Sequence, residues 1–256
     1  MTYPGGKGGE GVWQRIINQM PPHELYIEAF LGGGAVMASK RPAPENIGIE
    51  VDPEVAARWE SGGRFKFINC DAFDYLKKLV KKPPYKGWEH ETLIYCDPPY
   101  LISTRRQHRP ICRYELTEED HEQLLAIIMR LPCMVMMSGY YSELYARELA
   151  DWRAISFEAM TRGGKPATEW LWMNFPEPSE LHDYRYLGEG FRERERIKRK
   201  VNRWKTKLEK MPALERMAIA AALAEVGDTA GSLASSSDAR SRGSSIAESD
   251  DGRGNR

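Results

Sequence analysis

The sequence predicts an α/β protein with a mostly parallel sheet, an antiparallel hairpin at the end of that sheet and a basic helical appendage after it. Short apolar runs of strand length alternate with helix-like runs over residues 12–149, and this alternation is typical of a parallel sheet covered by helices. Two strand-like runs on either side of residues 162–165 then indicate a hairpin. From residue 189 the sequence is helix-like and rich in lysine and arginine.

The composition allows a large core and is compatible with a nucleic-acid partner. The chain has 256 residues, enough for one large domain with an appendage. Its 37 Lys and Arg residues balance 37 Asp and Glu residues, but residues 191–210 hold ten Lys or Arg against three Glu, a net charge of +7. The neutral total therefore hides a basic segment of the kind that binds nucleic acid.

The sequence indicates neither a membrane protein nor a secreted one. No apolar run approaches the roughly 18 residues of a membrane helix, and the N-terminus lacks the apolar core of a signal peptide. The cysteines at positions 70, 96, 112 and 133 form no CxxC pair that would indicate a metal site or a disulfide framework. We therefore expect a cytoplasmic protein without a bound metal and without a membrane partner.

The stretch TLIYCDPPY, residues 92–100, is the most informative part of the chain. An apolar run closed by Pro98 and Pro99 indicates a buried strand, because proline cannot donate to a sheet. Asp97 and Tyr100 then lie just past the carboxyl end of the strand, where α/β sheets bind their ligands. The Asp97 carboxylate and the Pro98 carbonyl can accept from one amino group, and Tyr100 offers a flat ring. This combination suits the exocyclic amine of a nucleobase.

Two glycine-rich stretches are candidates for ligand binding. The first, residues 3–9, contains Lys7 and fits either an anion cradle or a flexible terminal segment. The second, Gly32 to Gly34, lies between a strand-like run at 25–30 and a helix-like run at 35–40. A strand, a glycine turn and a helix N-terminus in this order let a ligand approach the bare backbone, as in nucleotide sites.

Acidic side chains follow the next two strand-like runs. Glu50 and Asp52 end the run at 46–51, and a carboxylate at this position can accept from both hydroxyls of a ribose. Either residue fits that role. Asp71 follows the run at 65–69 and fits either a helix N-cap or an acceptor for the amino group of an adenine.

Together these motifs resemble those of the Dam-like DNA adenine methyltransferases, especially their compact phage and prophage members. Asp97 to Tyr100 is similar to the tetrapeptide of enzymes that methylate adenine N6 or cytosine N4, and the match covers roughly residues 3–175. The resemblance implies a Rossmann-like methyltransferase fold that transfers a methyl group from S-adenosyl-L-methionine to a flipped adenine in double-stranded DNA. It also implies donor contacts for Tyr3, Lys7, Phe30, Gly32, Gly34, Glu50 and Asp71.

Several alternatives share part of this pattern. Cytosine N4 methylation uses the same chemistry, and RNA is an alternative substrate. A catalytically idle nucleic-acid-binding module is the alternative from a different class. Only 63 positions separate Gly34 from Asp97, so the recognition segment that is usual in the resembled family is missing and no particular target sequence is predicted.

Two basic segments are candidates for DNA contact. The loop 101–115 leaves the tetrapeptide directly and carries Arg105, Arg106 and Arg109, which suit base readout, although a solvated loop is the alternative. In the helix-like run from 189, residues Lys198, Arg199 and Lys200 suit phosphate contacts. The same run has an apolar stripe that something must cover, either the catalytic domain or the same helix in a weak homodimer.

The domain organisation follows from the changes in composition. We expect a catalytic domain at 1–178, a basic helical appendage at 179–226 and a disordered tail of Ser, Gly, Asp and Arg at 227–256. Within the catalytic domain the run at 81–91 predicts a loop, and His121 is expected on the surface of a helix's first turn.

Overall fold

The predicted α/β sheet with a terminal antiparallel hairpin is present in the computed structural model, which describes residues 6–9, 11–60, 65–82, 84–106, 108–160 and 165–226. Its strands are β1 (Leu25–Glu28), β2 (Glu45–Glu50), β3 (Lys66–Asn69), β4 (Thr92–Cys96), β5 (Met134–Gly139), β6 (Arg153–Met160) and β7 (Pro166–Met173). They lie in the order β3-β2-β1-β4-β5-β7-β6, in which β1 to β5 are parallel and β7 is antiparallel to both of its neighbours. The first five strands thus have the order of the Rossmann fold.

Helices connect the strands at the positions that the sequence indicates, with two additions. The helices within the described residues are α1 (Val12–Ile17), α2 (Ala35–Ser39), α3 (Pro53–Glu60), α4 (Ala72–Lys81), α5 (Trp88–Glu91), α6 (Glu118–Ile128), α7 (Glu143–Glu148) and α8 (Phe191–Glu209), followed by a helical segment at 213–226. Of these, α3 has no counterpart in the sequence analysis. The short α5 falls in the run that we expected to be a loop, because Gly87 starts the turn at φ 90° and Trp88 is buried.

The core lies on both faces of the sheet. Alternate residues of the central strand β4 point to opposite sides, with Ile94 and Cys96 in one apolar cluster and Leu93 and Tyr95 in the other. The first cluster is covered by α4, α6 and α7, and the second by α1 and α2. A sheet buried on both faces leaves the ends of its strands as the place for a ligand.

The chain divides into two units between Ile197 and Lys198, which is later than the predicted boundary at 178. Residues after 178 belong to the first unit because they bond to it: the backbone N–H of His182 donates to the Met20 carbonyl at 2.9 Å, and the buried Asp183 carboxylate accepts from the Arg41 backbone N–H at 2.8 Å. The tail predicted to be disordered, 227–256, lies outside the described residues. Among the described helices, none is both long and apolar enough to cross a membrane.

Candidate active site

A cavity of about 1710 Å³ lies at the carboxyl edge of the parallel strands, and its lining contains most of the residues that the sequence singles out. Those residues are Lys7, Phe30, Gly32, Gly34, Glu50, Asp71, Asp97, Pro98, Pro99, Tyr100, Arg105, Arg106 and Arg109. Tyr3 lies outside the described residues, and Lys198, Arg199 and Lys200 belong to the second unit. The glycine turn and the tetrapeptide, which were predicted separately, therefore line the same cavity.

The Glu50 side chain fixes the glycine turn by a hydrogen bond. Its Oε2 atom accepts from the Gly32 backbone N–H at 2.7 Å, and its Oε1 atom accepts from the Asp52 backbone N–H at 2.9 Å. Burial raises the pKa of the Glu50 carboxyl, although these backbone donors oppose the shift. Asp52, the other candidate of the pair, instead accepts from the Glu54 backbone N–H at 2.9 Å and does not line the cavity. The geometry therefore favours Glu50 for contact with a ligand.

Gly34 is required by packing as well as by the shape of the turn. It has a left-handed backbone with φ 55°, and a Cβ atom added there would lie 2.3 Å from Cζ2 of Trp59 on α3. The Trp59 indole N–H in turn donates to the Gly32 carbonyl at 3.2 Å. From the sequence, the approach of a ligand is the only reason for this glycine, because the sequence does not predict α3.

We expect Gly34→Ala to lower the free energy of unfolding by about 2 to 4 kcal/mol, from the left-handed backbone and from overpacking against Trp59. Gly87→Ala is the matched control, because Gly87 also has a positive φ of 90° but has no neighbouring atom within 4 Å of an added Cβ. The control is expected to lose only about 1 to 2 kcal/mol. Urea unfolding measures both, and equal losses would show that Trp59 plays no part.

Asp71 and Phe30 also line the cavity. The Asp71 carboxylate caps α4 by accepting from the Phe73 backbone N–H at 2.7 Å, and the residue also lines the cavity. Its two interpretations, helix cap and ligand acceptor, are thus compatible. The Phe30 and Phe73 rings meet edge to face at 6.3 Å between centroids and add an apolar wall.

Lys7 lies with the tetrapeptide, although the resemblance implied that it contacts the methyl donor. Its ammonium nitrogen is 2.8 Å from Asp97 Oδ1, donates to the Tyr100 hydroxyl and lies 4.5 Å from the centroid of the Tyr100 ring. Only 5% of the side chain is exposed. Burial disfavours the ammonium, but the carboxylates of Asp97 and Glu169 outweigh that effect and raise the pKa of Lys7. A buried ammonium needs such anions, which explains its position.

Asp97 keeps one oxygen available for a ligand. Its Oδ1 atom accepts from Lys7 and, at 2.8 Å, from the Ser138 hydroxyl, which itself lies 3.0 Å from the Tyr95 hydroxyl. Within the part of the chain that the structure describes, no donor reaches Oδ2. The carboxylate is thus fixed through one oxygen and open through the other.

Glu169 on β7 is a site residue that the sequence analysis missed. The Tyr100 hydroxyl donates to its Oε2 atom at 2.5 Å, and the Lys7 ammonium lies 3.6 Å from the same oxygen. Glu169 is buried and lines the cavity. The available signal was a single acid directly before the apolar run WLWM, since a carboxylate in a buried strand requires a partner.

Arg105 has partners within the protein, and its predicted role in base readout stays a prediction. It is buried, and its guanidinium donates to both Glu115 oxygens, with Nη2 at 2.5 Å from Oε2, and to the Tyr100 carbonyl. These bonds fix the loop after the tetrapeptide. Arg106 and Arg109 are exposed where they line the cavity, so their readout role stays a prediction.

His121 is buried rather than on the helix surface. Its Nδ1 atom lies 2.8 Å from the Tyr145 hydroxyl, and burial lowers the pKa of the imidazole to about 4. The expectation was wrong because the first turn of α6 places His121 against Tyr145 of α7. Across the described ranges, no cluster of three His, Cys, Asp or Glu side chains could hold a metal ion.

Comparison with known proteins finds likeness in structure only. No family model matches the sequence, and no curated protein matches it. Among solved structures, a candidate methyltransferase from Escherichia coli is 16% identical, with 62% of this chain and 79% of that chain covered and a TM-score of 0.36.

Two further solved structures are similar at the same level. Magnesium protoporphyrin IX methyltransferase from Synechocystis, with bound S-adenosylmethionine, is 10% identical over 64% of this chain and 75% of its own, with a TM-score of 0.38. An S-adenosylmethionine-dependent methyltransferase from Agrobacterium tumefaciens is 13% identical over 64% of this chain and 60% of its own, with a TM-score of 0.38.

Proposed function

We propose that the protein transfers a methyl group from S-adenosyl-L-methionine to the N6 amino group of a flipped adenine in double-stranded DNA. The observation that carries the proposal is the Asp97 carboxylate, which is fixed through Oδ1 and open through Oδ2, next to the Tyr100 ring. An acceptor oxygen beside an aromatic face suits an amine on a flat heterocycle. The glycine turn on the same cavity suits a nucleoside donor.

The glycine turn, Glu50 and Asp71 fit the proposed donor. The backbone of the glycine turn is open to close approach, Glu50 can accept from ribose hydroxyls through its remaining lone pairs, and Asp71 can accept from an amino group. When bound, the donor supplies an electrophilic methyl group on a sulfonium. The protein's part is to orient the amine toward that methyl group.

Tyr100 and Asp97 divide this task. Flipping a base out of a duplex costs a few kcal/mol, and stacking on an aromatic ring, worth about 1 to 3 kcal/mol, offsets much of it. Asp97 Oδ2 and the Pro98 carbonyl then accept the two amino hydrogens, which draws the nitrogen lone pair out of conjugation with the ring. With the donor bound, the amine would attack its methyl carbon as the carbon–sulfur bond breaks, the donor would leave as a neutral thioether, and the methylated nitrogen would release one proton to solvent. This direct transfer requires no covalent bond to the protein.

A thiolate mechanism, as in cytosine C5 methylation, does not fit the described site. The sequence contains one Pro-Cys dipeptide, Pro132-Cys133. Cys133 is buried immediately before β5, at the amino edge of the sheet, and burial raises the pKa of its thiol to about 12. Cys96 is likewise buried inside β4. Cytosine N4 and RNA remain the alternatives that share the proposed chemistry.

The deciding experiment incubates the purified protein with labelled S-adenosylmethionine and unmodified plasmid DNA. Digestion to nucleosides and mass spectrometry should then show N6-methyldeoxyadenosine. Label in N4-methyldeoxycytidine, or in an RNA substrate only, would move the assignment to the corresponding alternative. If no nucleic acid is labelled while DNA is still bound, the protein is a binding module and the proposal is wrong.

We place phosphate contacts on the exposed basic residues of α8. Replacing Lys198, Arg199 and Lys200 together by alanine should weaken binding to every duplex and flatten the plot of log affinity against log salt by up to about 0.9 per lost contact. The matched control replaces the exposed lysines 81, 82 and 86 of the first unit by alanine. Fluorescence anisotropy at several salt concentrations measures both, and equal slopes in the two variants would remove α8 from the DNA interface.

The homodimer through α8 stays a prediction. Val201 and Trp204 on its apolar stripe are 57% and 50% exposed, and with Leu208 they line one shallow groove. Sedimentation of the protein with Trp204→Ser tests this, because a dimer held by the stripe should dissociate at lower dilution in the variant than in the native chain.

A further inference from the structure

We infer that Glu169 is a positioning residue of the methyl-transfer site, which keeps the Tyr100 ring and the Lys7 ammonium in place for the reaction. The inference rests on the proposed function and assigns a role to a residue outside the tetrapeptide. Glu169 lies on β7, 69 positions after Tyr100, and the distance between Tyr100 Oη and Glu169 Oε2 is 2.5 Å. This hydrogen bond is the only described one that restrains the end of the Tyr100 side chain apart from its contact with Lys7.

The ring of Tyr100 needs such a restraint. It meets the Tyr140 ring edge to face at 4.7 Å between centroids, the Lys7 ammonium lies 4.5 Å from its centroid, and the residue lines the cavity. A base stacks well only if the ring holds its plane, and a displacement of about 1 Å can cost on the order of 100-fold in rate. The strand β7 is held between β5 and β6, so its backbone gives the Glu169 carboxylate a rigid support.

The charge of Glu169 matters as well as its hydrogen bond. Lys7 lies between two carboxylates, 2.8 Å from Asp97 Oδ1 and 3.6 Å from Glu169 Oε2. Because the ammonium is shared between two carboxylates, it only partly neutralises Asp97. Asp97 must accept a hydrogen bond from the substrate amine. Without the second carboxylate the ammonium would pair with Asp97 alone and weaken the whole Asp97 carboxylate, including the open Oδ2, as a hydrogen-bond acceptor. The two functions of Glu169 therefore predict different effects for different replacements.

Glu169→Gln separates charge from shape. The glutamine can still accept from the Tyr100 hydroxyl, but its amide group gives Lys7 no negative partner. We expect kcat for methyl transfer to fall about 10- to 100-fold, the range for a misplaced catalytic group, with little change in KM for the methyl donor. Glu169→Asp, which keeps the charge on a shorter chain, should recover part of that loss. A purely structural role would instead change the melting temperature of both variants and leave no split between kcat and KM.

Glu158→Gln is the matched control for the removal of a carboxylate from the same hairpin. Glu158 on β6 is exposed and accepts from the Thr168 hydroxyl at 2.7 Å, so its loss should leave kcat unchanged. If Glu169→Gln fails to fold, Tyr100→Phe tests the same hydrogen bond from its other end and should also lower kcat.

The outcomes separate this inference from the proposed function. If the native protein methylates DNA and Glu169→Gln keeps kcat within twofold, the inference is wrong and the proposed function stands. A fall in kcat that Glu158→Gln shares also overturns the inference. If the native protein transfers no methyl group to any nucleic acid, the proposed function falls first and the inference falls with it.

Discussion

Replacing Asp97 with alanine is expected to abolish methyl transfer, with a loss on the order of 1,000-fold or more in kcat. The variant removes the open Oδ2 acceptor and also removes the closest anion of Lys7, which lies 2.8 Å away. Binding of S-adenosylmethionine should change by less than about 1 kcal/mol, because the proposed contact of Asp97 is with the amine of the substrate. Labelled methyl transfer and calorimetry measure the two quantities separately.

The control for this variant is Asp151→Ala, which removes an exposed carboxylate before β6. It should leave transfer and donor binding unchanged. Near-native transfer by Asp97→Ala would remove the tetrapeptide from the reaction. Loss of donor binding in a folded Asp97→Ala protein would instead assign this carboxylate to the donor.

Arg105→Met is expected to destabilise the protein by about 1 to 3 kcal/mol, because it removes the charged partner of the half-buried Glu115 carboxylate, which keeps two backbone N–H donors. For a domain of this size each kcal/mol lowers the melting temperature by about 2 to 4 °C. Activity should fall equally on all DNA sequences, since Arg105 acts through the Tyr100 carbonyl and the loop. Arg109→Ala, at an exposed position, is the control and should leave stability unchanged.

The pH dependence of this effect has a definite sign. Burial opposes the charge on Glu115, but the Arg105 guanidinium and two backbone N–H donors lower the pKa of this carboxyl to about 2 in the folded state. A carboxylate with a lowered folded pKa stabilises the protein above its unfolded pKa, and this stabilisation is lost as the pH falls toward 2. The difference in unfolding free energy between native protein and Arg105→Met should therefore shrink between about pH 4.5 and pH 2. A constant difference over that range would mean that the pair with Glu115 does not set the effect.

The positions of the strands and of the tetrapeptide could be predicted because they depend on local patterns. The apolar run ending at Asp97 and the glycine turn after β1 each occupy fewer than ten neighbouring residues. Parallel strands then bring their carboxyl ends to one edge, so the joint position of Glu50 and Asp97 on one cavity followed without knowledge of any side-chain contact.

The partners of Lys7 and Arg105 could not be predicted in the same way. Lys7 contacts Asp97, 90 positions later in the chain, and Glu169 on β7. Each contact depends on which strands become neighbours in the sheet. The sequence shows the charges of these residues but not which strand lies beside β5. Arg105 and Glu115 are close in the chain, yet a pattern of arginines in a polar loop does not distinguish a buried pair from a solvated surface.

The place of β7 in the sheet makes one side of the candidate site depend on a strand that comes late in the chain. It is the last of the described strands, and it lies between β5 and β6. Contacts between distant segments form late in folding, because the entropy of closing the intervening loop opposes them. Glu50 holds the glycine turn through residues near β1 and β2, whereas the Tyr100 hydroxyl depends on Glu169 of β7. A chain that ends before β7 lacks the carboxylate that fixes Tyr100, and we expect it to transfer no methyl group.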